Sequence, residues 1–148
     1  MMKVKKFSLN QKASLVERNQ IINFLFENLE EYGDPIDEIE KCFEYAMEEC
    51  KSFGGCIFAS YEDEEIVGAV IINNTGMVGY IPEHILVYIA SHKQHRGKGI
   101  GKLLMESAIN ETHGDIALHV EPDNPARFLY EKLGFKTKYN EMRLKKRI

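Results

Sequence analysis

Apolar residues recur along the chain with two different periods, and these periods separate predicted helices from predicted strands. Helical spacing runs from Leu15 to Leu29 and again from Ile36 to Cys50, and Tyr32-Gly33-Asp34-Pro35 interrupts it between the two. Lys3 to Leu9 alternates weakly and predicts a short first strand. The first third of the chain is therefore predicted to form a strand followed by two helices.

The middle of the chain has the pattern of a sheet. Cys56 to Tyr61 and Ile66 to Asn73 flank the turn Glu62 to Glu65 and predict a hairpin. His84 to Ser91 is an apolar run of strand length and predicts a buried strand. A glycine-rich loop follows this strand, and a helix is predicted after it from about Ile100 to Thr112.

The last part of the chain alternates strands with a helix. A strand predicted from Asp115 to Val120 completes a right-handed β-α-β unit with the His84–Ser91 strand. Asn124 to Leu133 predicts a short helix, and Phe135 to Lys138 with Asn140 to Lys146 predicts a final hairpin. The whole pattern predicts a mixed α/β sheet with flanking helices.

The length of 148 residues suits one core, so a single domain over residues 1–148 is expected. No apolar run approaches the ~20 residues that a bilayer-spanning helix needs. The basic segment from Met1 to Lys6 precedes no apolar segment of the secretory kind. Cys42, Cys50 and Cys56 form no CxxC pair and no cluster with His, which favours free thiols in a reducing cytosol and no metal site. A cytoplasmic protein without a membrane partner is expected.

Charge is distributed unevenly along the chain. Ten acidic residues lie between Glu27 and Cys50, where Lys41 is the only opposing cation. From Lys93 to Arg147 there are twelve Lys and Arg residues against seven acids. This asymmetry indicates either a binding surface or simply solvated helix faces. A dense basic stripe with interleaved aromatic residues is missing, so no nucleic-acid partner is predicted.

The loop from Gln94 to Gly101 carries three glycines in five positions and leads into a helix. Backbone N–H groups come close to a ligand where side chains are absent, and a helix N-terminus attracts anions. The loop therefore predicts a pyrophosphate site, with a plain structural turn as the alternative. The residues expected to contribute are Arg96, Gly97, Lys98, Gly99, Ile100, Gly101 and Lys102.

The spacing of the three glycines also tests two other phosphate-binding motifs. The nucleotide motif GxxxxGK[ST] is absent, and the glycines run G-x-G-x-G, which does not match the dinucleotide motif GxGxxG. Only 47 residues follow Gly101, whereas a dinucleotide fold begins with its motif. A nucleotide- or dinucleotide-binding protein is therefore disfavoured.

Gln94, Gly97 and Gly99 match the pattern [Q/R]-x-x-G-x-[G/A], and here the chain resembles the GNAT superfamily of N-acetyltransferases. The resemblance implies a GNAT-like, mostly antiparallel sheet with a central β-α-β unit, and a loop that holds the pyrophosphate of coenzyme A. It also implies that the preceding strand pairs with the pantetheine arm through its backbone. The strand residues implicated are Ile89, Ala90 and Ser91, where Ser91 replaces a more usual aliphatic residue.

The segment Asn124 to Phe135 matches a second motif of the same family, NPAxxLYxKxGF. The resemblance implies that Tyr130 is the general acid for the coenzyme thiolate and that Asn124 contacts the pantetheine arm. The alternative is a small amphipathic helix whose Tyr130 fills the core.

Attack of an amine on a thioester needs a neutral amine, donors for the oxyanion and a proton for the leaving thiolate. Glu83, before the central strand, and His119, on the next strand, are the candidate bases, and each has an alternative structural role. The predicted function is direct transfer of the acetyl group of acetyl-CoA to a primary amine of a small molecule or peptide, with a preference for cationic acceptors. A catalytically silent acyl-CoA-binding domain is the alternative, and a homodimer is implied by analogy with the family.

Overall fold

The computed structural model describes residues 2–146. The chain forms two compact units, Met1–Leu118 and His119–Ile148, which are described separately. Within residues 2–146, no helix is long and apolar enough to cross a bilayer.

The first unit is built on a five-stranded sheet whose strands follow one another in chain order. The first four strands pair antiparallel, and the last pair is parallel. This confirms the predicted mixed, mostly antiparallel α/β fold with a central β-α-β unit. The strands are β1 (Met2–Phe7), β2 (Gly55–Glu62), β3 (Glu65–Asn74), β4 (His84–Ser91) and β5 (Ile116–Leu118).

Three α-helices accompany this sheet: α1 (Leu15–Asn28), α2 (Ile36–Ala46) and α3 (Ile100–Glu111). A capping box starts α1, because the Ser14 side chain accepts from the Glu17 backbone N–H and the Glu17 side chain accepts from that of Ser14. Single turns of 3₁₀ helix follow α1 at Glu30–Tyr32 and lead into the glycines of the loop at Lys93–His95.

The helices cover the two faces of the sheet. Ala69 and Ile71 of β3 belong to the same buried cluster as the apolar residues of α1 and α2. Gly68 alternates with them and meets α3: a Cβ at this position would lie 2.6 Å from Cγ2 of Ile100. Glycine at this position therefore permits the close approach of α3 to the sheet, on the face opposite α1 and α2.

The second unit contains one short helix, α4 (Arg127–Lys132). The predicted final hairpin over residues 135–146 is wrong, since the described residues of this segment form no strand. Alternation alone does not make a strand: an isolated hairpin is marginal in water, and this segment is rich in lysine and arginine.

Several element ends differ from the prediction by one to four residues. α2 ends at Ala46 rather than Cys50, because Glu48 adopts a left-handed backbone (φ 56°) that a helix cannot contain. β5 ends at Leu118 rather than Val120, so His119 lies just beyond the strand.

Candidate active site

The edge of β4 that faces β5 is open over most of its length. β5 pairs only with His84, Ile85 and Leu86, so residues 87–91 have no strand partner on this side among the described residues. The His92 N–H donates to the Val67 carbonyl on β3, and antiparallel alternation therefore turns the backbone groups of Ile89 and Ser91 away from β3. These groups are available to an extended ligand that adds to the sheet as a strand would.

A β-bulge lies where β4 separates from β5. Ile71 pairs with Tyr88 and Ile72 pairs with Leu86, which leaves Val87 as an extra residue in β4. A bulge bends its strand and increases the local twist. It therefore helps to direct the second half of β4 away from β5, and no residue pattern in the sequence indicated it.

The glycine loop connects the open edge of β4 to the start of α3. Gly97 and Gly99 have φ angles of 83° and 80°, and a Cβ at either position would meet nothing within 4 Å. The glycines are therefore required by the backbone conformation and not by packing within the protein. Gly99 is the N-cap of α3 and supplies no side-chain acceptor, so the first-turn amides of α3 stay open to an anion.

The cations of this loop differ in their surroundings. Lys98 and Lys102 are exposed, and neither takes part in an ion pair within residues 2–146. The Arg96 guanidinium instead lies 2.8 Å from Oε1 of Glu30 and donates to the backbone carbonyl of Asn28 at 3.1 Å. Arg96 therefore ties the loop to the end of α1 in this structure.

Asn28 is a buried polar residue that the sequence analysis missed. Its Nδ2 donates to the Phe24 carbonyl at 2.9 Å, and its Oδ1 accepts the Lys93 N–H at 3.1 Å. The sequence signal that could have revealed it is an asparagine on the apolar side of an amphipathic helix. Its side chain fixes the first residues of the glycine loop against α1.

Tyr88 is a second residue that the sequence analysis missed. It lies on β4 next to the bulge, and its buried hydroxyl donates to Oδ2 of Asp34 at 2.5 Å. Burial first, and then the bond to the carboxylate, raise the pKa of the Tyr88 phenol far above its ordinary value. Asp34 itself is exposed, in the connection between α1 and α2.

The two predicted bases stand in different environments. Oε1 of Glu83 accepts the Asp115 N–H at 2.8 Å, and Oε2 accepts the Gly79 N–H at 3.2 Å. These bonds, led by that from Asp115, hold the pKa of Glu83 below its usual range. The carboxylate therefore joins two loops. His119 is exposed and belongs to the second unit.

The second motif forms a turn that leads into α4 and a capped end after it. α4 begins at Arg127 rather than at the predicted Asn124, and Oδ1 of Asn124 accepts the Ala126 N–H at 2.9 Å in the turn that precedes the helix. At the other end Gly134 has a φ of 103°, and the Phe135 N–H donates to the Tyr130 carbonyl at 3.0 Å. This is a Schellman turn, and it brings the rings of Tyr130 and Phe135 to 6.1 Å between centroids.

The Tyr130 side chain is 7% exposed. Burial raises the pKa of its phenol to about 12, so the hydroxyl keeps its proton at neutral pH. Within residues 2–146, no group of three or more His, Cys, Asp or Glu side chains is placed to hold a metal ion.

Comparison with known proteins places this geometry in a family. Residues 53–137 match the acetyltransferase (GNAT) domain, whereas no curated protein matches the chain. Among solved structures, the aminoglycoside N-acetyltransferase AAC(6')-Iy in complex with CoA has a TM-score of 0.73 at 15% identity, over 100% of this chain and 96% of that one.

Two further structures have the same fold. A ribosomal-protein-alanine N-acetyltransferase from Brucella melitensis has a TM-score of 0.67 at 17% identity, over 98% of this chain and 99% of that one. The protein PH1933 from Pyrococcus horikoshii has a TM-score of 0.71 at 25% identity, over 96% and 93% of the two chains. The family match covers more than half of the chain and includes both the open edge of β4 and the glycine loop. The chain therefore belongs to the GNAT family of acetyl-CoA-dependent N-acetyltransferases.

Proposed function

We propose that this protein transfers the acetyl group of acetyl-CoA directly to a primary amine of a cationic acceptor. The observation that carries the proposal is the open edge of β4, which runs into the glycine loop and the uncapped start of α3. The edge of β4 offers backbone partners for an extended, amide-containing arm. The loop and the start of α3, which follow it in the chain, offer N–H donors for a pyrophosphate.

The coenzyme is held, in this proposal, mainly by backbone groups. Ile89 and Ser91 pair with the pantetheine arm through their backbone groups, and the loop amides bind the pyrophosphate. The backbone groups of Ala90, between them, face β3, so the part expected of Ala90 in this pairing is corrected. The exposed Lys98 and Lys102 add positive charge. The other proposed contributors are Arg96, Gly97, Gly99, Ile100, Gly101 and Asn124. Arg96 would exchange Glu30 for a phosphate in order to take part.

Direct transfer is favoured because none of the three cysteines is suited to form an acetyl-enzyme intermediate. Burial raises the pKa of Cys42 to about 12 and that of Cys56 to about 11, so both thiols stay protonated at neutral pH. Cys50 is exposed and follows the end of α2, so it does not belong to β4 or to the glycine loop.

Tyr130 is proposed to assist the departing coenzyme thiolate. Its pKa of about 12 lies above that of an ordinary thiol, ~8.5, so complete proton transfer to a free thiolate would be unfavourable. A hydrogen bond to the sulfur as negative charge develops is the contribution that this pKa supports.

Removal of a proton from the acceptor amine is proposed for His119 or Glu83. Both oxygens of Glu83 already accept backbone hydrogen bonds, and its lowered pKa makes it a weaker base. His119 is exposed, and imidazole is the side chain most often used for general base catalysis. We therefore prefer His119.

A thiol-release assay tests the proposal. The purified protein is mixed with acetyl-CoA and a panel of amines that includes polyamines, aminoglycosides and peptides, and free coenzyme A is measured. Amine-dependent release together with mass-spectrometric detection of the acetylated amine is expected. Tight calorimetric binding of acetyl-CoA without release for any amine would instead support the silent acyl-CoA-binding alternative.

A further inference from the structure

Asp34 is one of the acids between Glu27 and Cys50 that no cation neutralises within residues 2–146. Arg18 lies within 4 Å of three of those acids, while Arg96 and Lys41 each pair with another. Asp34 takes part in no ion pair within residues 2–146, and it is exposed. Its charge is therefore available to a ligand.

The position of this carboxylate is fixed from the sheet. The buried Tyr88 of β4 donates its hydroxyl proton to Oδ2 of Asp34, which leaves Oδ1 without a partner among the described residues. A donor from the core holds the carboxylate in one place without neutralising it. Most surface carboxylates lack such an anchor and lose side-chain entropy when they bind a cation.

The negative charge of Asp34 also acts on the nearby Cys42 thiol. Burial first, and then the charge of Asp34, raise the pKa of the Cys42 thiol, which also accepts from Nδ2 of Asn73 at 3.5 Å. An ammonium group carries only donors, so it complements the free Oδ1 of Asp34.

The distance from β4 determines which ammonium group fits. Side chains stand roughly perpendicular to a sheet, so Asp34 meets Tyr88 a full tyrosine side chain above the strand. The reacting amine must instead come within ~3–3.5 Å of the acetyl carbon, beside the backbone edge of β4. We propose that Asp34, positioned by Tyr88, binds a second ammonium group of the acceptor, several bonds from the amine that is acetylated. This inference rests on the proposed function and narrows its acceptors to molecules with two or more amines.

The test compares two acceptors with the same reacting group, putrescine and butylamine, which differ by the second ammonium. Asp34→Asn should lower kcat/KM for putrescine about fivefold through KM, because an ion pair near the surface contributes only modestly. It should leave butylamine unchanged. Asp34→Glu should keep part of the preference, and Tyr88→Phe should cause a smaller loss than Asp34→Asn.

Glu31→Gln is the matched control, since it removes one exposed charge from the same acidic stretch. An equal loss for Glu31→Gln and Asp34→Asn, or an unchanged putrescine preference in Asp34→Asn, would overturn the inference. Calorimetric binding of putrescine to the wild type and to Asp34→Asn, each loaded with coenzyme A, gives a readout that does not need turnover. Putrescine bound more weakly by Asp34→Asn supports the Asp34 site even if no amine is acetylated, whereas equal binding refutes it independently of the proposed function.

Discussion

At the scale of single residues, a buried phenol that keeps its proton is a hydrogen-bond donor at every physiological pH. Tyr130→Phe keeps the ring and removes only this donor, so kcat should fall about 10²-fold while acetyl-CoA affinity hardly changes. Because the pKa of Tyr130 is raised to about 12, the fall should be the same at about pH 7 and about pH 9. Steady-state kinetics at both pH values and calorimetry provide the measurements.

Tyr139→Phe is the control for this substitution, because Tyr139 is 79% exposed in the same unit. An unchanged kcat in Tyr130→Phe, with chemistry shown to limit the rate, would remove Tyr130 from the mechanism.

The three cysteines should differ in reactivity. Only the thiolate reacts with disulfide reagents, and the raised pKa values of Cys42 and Cys56 keep these groups as thiols at neutral pH. A raised thiol pKa favours the protonated form, and for both groups this form dominates below about pH 11. One thiol, that of Cys50, should react quickly in the native protein, and all three in denaturant. Two fast native thiols would contradict the burial of Cys42 or Cys56.

At the scale of elements, two glycines allow the effect of backbone strain on stability to be separated from the effect of the glycine loop on coenzyme binding. Gly99 and Gly79 share a left-handed backbone (φ 80° and 82°), and a Cβ at either position meets nothing within 4 Å. Alanine should therefore strain both positions by about 1 kcal/mol, with similar changes in Tm. Only Gly99→Ala places a methyl group against the proposed pyrophosphate site, so only it should weaken acetyl-CoA binding, by roughly tenfold or more.

Isothermal calorimetry of the two variants checks this prediction. Equal acetyl-CoA affinities for Gly99→Ala and Gly79→Ala would mean that the loop does not hold the pyrophosphate.

The elements also show which features a sequence reveals. β4 was predicted at its observed ends, His84 and Ser91, because a buried strand is a continuous apolar run bounded by polar residues. The bulge at Val87 could not be predicted, since it depends on the register between two strands and not on residue type. The Tyr88–Asp34 bond joins residues 54 positions apart, and no local pattern encodes such a pair.

At the scale of the whole molecule, the acidic stretch from Glu27 to Cys50 should affect how acceptors arrive. A negative surface raises the local concentration of cations, and salt screens this attraction. The structure weakens the effect, because Arg18 lies beside Glu40, Glu44 and Glu49. We expect kcat/KM for a polyamine to exceed that for a neutral amine and to fall severalfold between low and high salt.

A matched panel of amines assayed at two ionic strengths provides the measurement. If charge and salt have no effect on kcat/KM, the remaining acids serve only to solvate the outer faces of α1 and α2.

The unpaired edge of β4 also bears on handling and storage. An exposed strand edge is a template for association with other chains, and the half of β4 beyond Leu86 has no paired strand on that side among the described residues. A pantetheine arm lying along this edge would act as the missing strand. Saturation with coenzyme at about 100 times its Kd should stabilise the fold by ~2.7 kcal/mol. The coenzyme-free protein should accordingly show a lower Tm and faster growth of light scattering on warming, and added coenzyme A should suppress both. In a cell, the supply of coenzyme would then help to set how much of this enzyme remains soluble.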